Sequence, residues 1–61
     1  MKTLVDTLKR DKCKVDINFI LESKEYVIIL SHYACIITVS YAGTLYDALV
    51  IGNNLLNNII Q

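Results

Sequence analysis

A chain of 61 residues holds one domain at most, and a domain of this size buries only about 60% of the surface its unfolded chain exposes. The formal net charge is zero, so no global field draws the protein to nucleic acid or to an acidic membrane. The apolar fraction, 54%, is more than a small globule hides easily, and chains this small are commonly reinforced by a disulfide, a metal or association.

Residues 1–10, MKTLVDTLKR, place Met1, Leu4, Val5 and Leu8 at i, i+3, i+4 and i+7. Thr3 followed by Asp6 resembles a capping box with Asp in the Glu position. The spacing predicts a short helix over Leu4 to Arg10, which must lean on the rest of the chain because a helix of that length is unstable alone.

Residues 13–21 alternate. Cys13, Val15, Ile17, Phe19 and Leu21 point one way and Lys14, Asp16, Asn18 and Ile20 the other, the period of a half-buried strand. ESKE then makes a polar turn, and YVIIL and ACIITVSY read as two further strands separated by SHYA. Tight turns at Ser23–Lys24 and His32–Tyr33 would set Leu21 opposite Tyr26, Phe19 opposite Ile28, Leu30 opposite Cys35 and Ile28 opposite Ile37. One face then carries Val15, Ile17, Phe19, Leu21, Tyr26, Ile28, Leu30, Cys35, Ile37 and Val39, all apolar or aromatic, and a slip of one residue would mix the faces.

Gly43 ends the last strand, and Thr44 with Asp47 forms a second capping pair. Leu45, Ala48, Leu49, Gly52, Leu55, Leu56, Ile59 and Ile60 then make one wide apolar stripe of a closing helix. The expected fold is α+β: a single α-β-β-β-α domain over residues 1–61, with a short amino-terminal helix, a three-stranded antiparallel meander and a carboxy-terminal helix. Both helices cover one face of the sheet. Tyr26 to Tyr46 contains no Asp, Glu, Lys or Arg and is long enough to cross a bilayer. Ser31, His32, Thr38, Ser40, Gly43 and Thr44 interrupt it, and its β-branched density matches strands, so a membrane partner is not expected.

Little in the sequence can react. His32, the single histidine, falls in an expected turn and lacks an evident nucleophile and orienting partner. Cys13 and Cys35 are expected on the core face of the first and third meander strands, roughly 10 Å apart across the strand between them, too far for a disulfide. They read as buried small hydrophobes. No zinc-ligand spacing and no glycine-rich phosphate loop occurs, and the carboxylates are scattered. The expectation is a non-enzymatic protein with no catalytic residues, metal or cofactor. The amino-terminal segment carries Lys2, Lys9, Arg10, Lys12 and Lys14, interleaved with Asp6, Asp11 and Asp16. That is a solvated face unless a dimer doubles it into a nucleic-acid footprint. The first ten residues lack the apolar segment of a signal peptide, and cysteines without that context suit a reducing, cytoplasmic setting.

Two surfaces remain to hold the apolar excess. The second sheet face carries Ile20, Val27, Ile29 and Ile36 within a rim of Asp16, Asn18, Glu22, Glu25, Thr38 and Ser40, a candidate for self-association as a homodimer. One side of the last helix carries Tyr46, Val50, Asn53 and Asn57, with Asn54 and Asn58 adjoining, a candidate for binding a larger protein. An uncharged amide face bonds a partner without desolvating an ion; the alternative is codon drift on a solvated helix, since nine Ile, five Asn and a Lys-to-Arg ratio of five to one suggest AT-rich coding. Such composition suits a low-GC bacterium or its phages. The leading functional expectation is a small interaction module that self-associates and binds a larger bacterial protein, in the manner of phage-encoded inhibitors of host or anti-phage defence proteins. The alternative is a dimeric nucleic-acid-associated regulator using the basic amino-terminal segment.

Overall fold

A computed structural model of the chain describes residues 2–59. Four antiparallel strands, β1 (Lys2–Arg10), β2 (Cys13–Ile20), β3 (Glu25–His32) and β4 (Cys35–Ala42), form a meander in the order β1-β2-β3-β4, and one helix, α1 (Leu45–Ile59), follows. The α+β class holds, but the amino-terminal helix is a strand and the sheet has four strands, not three. The places expected for Met1, Ile60 and the Ile59 side chain lie outside the described residues.

The correction at β1 has a physical cause. Leu4 pairs with Asn18 and Asp6 with Ile17, so Val5 is an extra residue, a β-bulge. Without it Leu4 and Leu8 would lie on one side of the strand. With it Leu4 faces away from the helix and Leu8 packs into the core. The bulge therefore gives a strand the apolar spacing of a helical turn. The supposed cap is also local to the strand: Asp6 Oδ1 accepts a hydrogen bond from the Thr7 amide at 2.8 Å.

Asp11 and Lys12 close the first hairpin, with Asp11 at φ 58°. Leu21 to Lys24 link Ile20 to its partner Glu25, two residues off the expected register. An even shift preserves the faces, so Val15, Ile17, Ile28 and Leu30 are core residues as expected, while Leu21 falls in the loop and is exposed. Phe19 meets Tyr26, not Ile28, with ring centroids 5.1 Å apart.

The third hairpin departs further. Its turn residues are Tyr33 and Ala34, one position later than expected, and Ile37 is an extra residue between the pairs Ser31–Ile36 and Leu30–Thr38. Ile28 therefore stands opposite Ser40 instead of Ile37. Beyond the bulge the total shift is odd and exchanges the faces of residues 38–42. Thr38, Ser40 and Ala42 turn toward the helix side, and Ile37, Val39 and Cys35, all expected in the core, are exposed.

Helix α1 begins as expected, with Thr44 Oγ1 accepting from the Asp47 amide at 3.1 Å. It lies mainly over β2 and β3. Ala48 and Leu56 join Cys13, Val15, Ile17, Ile28 and Leu30 in the core, and Leu8, Tyr26, Leu49 and Leu55 pack around them. Full burial of an aliphatic side chain such as Ile17 or Ile28 stabilises by about 1.5–3 kcal/mol. Gly52 permits the close approach of helix and sheet: a Cβ there would lie 3.1 Å from Val15 Cγ1 and 3.2 Å from Leu8 Cδ1.

Candidate functional site

The sheet has one face under α1 and one open face. On the open face β1 contributes Lys2, Leu4, Thr7 and Lys9, β2 contributes Lys14, Asp16, Asn18 and Ile20, and β3 contributes Glu25, Val27, Ile29 and Ser31. Ile36, Val39 and Tyr41 of β4 complete it. The four residues expected to mediate self-association therefore share this face, in unequal states. Val27 is buried at its centre, Ile20 and Ile29 are half-buried, and Ile36 is exposed.

Reasoning from the sequence found Ile36 but missed Ile37, Val39 and Tyr41, the larger part of the apolar surface on β4. Ile36, Ile37, Val39 and Tyr41 are 65%, 53%, 45% and 59% exposed, and all lie on β4, a strand with no charged residue. β4 is also an edge of the sheet, so the backbone N–H and C=O groups on its outer flank are open to another strand. The opposite edge, β1, is guarded by Lys2, Asp6, Lys9 and Arg10 and by its bulge. The bulge at Ile37, which only the pairing with β3 reveals, is the reason for that miss. Unbroken alternation from the expected turn places Val39 on the core face, and the extra residue, with the later turn, moves it to the open one.

The basic side of the same face is a shallow groove of about 520 Å³, lined by Lys2, Leu4, Thr7, Lys9, Lys14, Asp16, Asn18 and Ile29. Lys9 stands directly across from Lys14, a repulsive arrangement. Asp16 moderates it: Lys14 Nζ lies 3.5 Å from Asp16 Oδ2, and Thr7 Oγ1 donates to Asp16 Oδ1 at 3.1 Å.

The helix side proposed for a partner is arranged differently. Tyr46 and Val50 are exposed. Asn53 Nδ2 donates to the Leu49 carbonyl at 2.9 Å, and Asn57 Oδ1 accepts from Arg10 Nη1 at 2.7 Å. The Arg10–Asn57 bond ties the end of the helix to the end of β1, and gives this asparagine an intramolecular role.

Cys35 stands opposite His32 at the end of the third hairpin. Among the described residues no side-chain hydrogen bond joins the two, and the His32 ring lies against Tyr33 edge-on, centroids 4.4 Å apart. Lys12 Nζ sits 5.4 Å above the Tyr33 ring. Cys13 is a buried free thiol and Cys35 an exposed one. Among the described residues no three His, Cys, Asp or Glu side chains gather in a position to hold a metal ion, and no helix is long and apolar enough to cross a membrane. Compared with protein-family models, curated proteins and solved structures, the chain matches none.

Proposed function

We propose that this protein is a non-enzymatic interaction module that self-associates and binds a larger protein. The observation that carries the reading is the uncharged apolar stripe of Ile36, Ile37, Val39 and Tyr41 along one edge of the sheet. Small monomers rarely leave a contiguous apolar patch of this kind open, and among the described residues the one helix lies on the other face of the four-stranded sheet. The helix side bearing Tyr46 and Val50 supplies a second, separate surface for the larger partner. A bacterial cytoplasmic setting and a role in blocking a host or defence protein belong to this proposal and rest on size and composition alone. Light scattering across a wide concentration range tests it: association into a defined oligomer supports the reading, and a monomer mass at every concentration overturns self-association.

The facing pair Lys9 and Lys14, with Lys2 on the same groove, favours a second reading, binding of a polyanion such as nucleic acid. The zero formal net charge and the Asp16 carboxylate within the groove weigh against it. Binding of a labelled single- or double-stranded oligonucleotide, weakening steeply with added salt, would support this alternative.

A further inference from the structure

We infer that two copies of the chain join edge to edge through β4, about a two-fold axis at Val39, to make one continuous eight-stranded sheet. The inference rests on the self-association reading and names its surface, partner and register. β4 is the edge without charge, Pro or Lys, and a strand edge takes another strand because its outward N–H and C=O groups match those of an antiparallel neighbour. The same sequence supplies the match. In antiparallel pairing, residues directly opposite lie on one face, so an axis at Val39 sets Val39 against Val39 and Ile37 against Tyr41 on the open face. Thr38 then meets Ser40 on the helix face, and the regular ladder ends at Ile37, because the bulge there leaves Ile36 on the open face and Ala42 on the helix face. Apolar residues meet apolar or aromatic ones, hydroxyls meet hydroxyls, and no charge is buried.

Charge selects this pairing over the other edge. Two β1 strands paired about their middle residue would bring Asp6 against Asp6 and Lys2 against Arg10, like charges in direct opposition. Each edge strand carries one bulge, at Val5 and at Ile37, so the choice between the edges rests on charge. Pairing of β4 with β1 would repeat head to tail and form an open fibre, whereas pairing of β4 with itself closes at two copies. The axis leaves α1 of each copy on the same side of the joined sheet, so the helix surfaces bearing Tyr46 and Val50 stay outside the junction.

The test uses the residue on the axis. Val39 is well exposed on an edge strand, so Val39→Lys and Val39→Glu should leave the fold intact, checked by circular dichroism and by a single cooperative melt. Each variant alone places two like charges face to face, and its dissociation constant in sedimentation equilibrium should rise by at least about tenfold. Mixed in equal amounts, the Lys and Glu variants should recover the dimer, because position 39 faces only its own counterpart. Leu4→Lys, the same charge on the opposite edge, should leave dimerisation within about twofold of the parent. A parent that is monomeric throughout overturns self-association and the edge pairing together. A parent dimer that survives Val39→Lys, a mixture that fails to recover, or a parent that assembles beyond two copies overturns the edge pairing and leaves self-association to another surface.

Discussion

Tyr33 and Ala34 hold φ angles of 54° and 66°, the left-handed region, at both centres of a two-residue hairpin turn. That geometry is the one Asn-Gly adopts without strain, and a residue with a Cβ pays roughly 1–2 kcal/mol for it. Tyr33 has compensating contacts with Lys12 and His32; among the described residues no such contact involves Ala34. Ala34→Gly is therefore expected to stabilise the protein by about 0.5–1 kcal/mol, less than the full strain because glycine loses more chain entropy on folding. Urea unfolding reads this directly, and a loss of stability would contradict the turn geometry. Gly52 presents the opposite case. In an exposed helix Gly→Ala gains about 1 kcal/mol, but here the new methyl meets Val15 and Leu8 at 3.1 and 3.2 Å. Val15 is β-branched and fully buried, so it yields little. The crowding should cancel the propensity gain and leave Gly52→Ala neutral to about 1 kcal/mol destabilised, whereas the same change would stabilise if the helix stood away from the sheet.

At the scale of elements, the boundary of α1 was legible because its chemistry is local. Thr44 and Asp47 sit at capping spacing, and the Thr44 hydroxyl does accept from the Asp47 amide. Thr44→Ala should cost about 1 kcal/mol and fray the first turn, measurable as a lower denaturation midpoint with an unchanged slope. The pairing of β2 with β3 was legible in its faces, since an error of two residues in register leaves Ile17 and Ile28 inside and Ile20 and Ile29 outside. β1 and β4 were misread for one shared reason. Each contains an extra residue, Val5 in one and Ile37 in the other. A bulge is fixed by the partner strand, and nothing in the local run of side chains marks it. In β1 it turned a strand into an apparent helix. In β4, with a turn one position later than expected, it moved Val39 from the expected core to the open face. The candidate surface was thus half visible: Ile20, Val27, Ile29 and Ile36 share the expected face, while Val39 and Tyr41, which hold much of its exposed area, depended on the register of β4.

For the whole molecule, the proposed pairing through β4 would make association and folding stability one quantity. The chain is small, its helix covers a single sheet face, and β4 has an open edge. If the dimer is the form that folds, raising the protein concentration stabilises it by mass action. A tenfold increase is worth about 1.4 kcal/mol per dimer. Unfolding two chains of 61 residues releases roughly 0.26 kcal/mol/K of entropy at typical per-residue values, so the Tm should rise by about 5 °C for each tenfold increase in concentration. Calorimetry over a hundredfold range resolves a rise of that size. Val39→Lys, which removes association and leaves the core untouched, should melt at a temperature independent of concentration, at or below the parent's value in its most dilute sample. A parent Tm that stays flat over the same range would mean that each chain reaches its full stability alone, and that any dimer is a weak encounter of already folded copies.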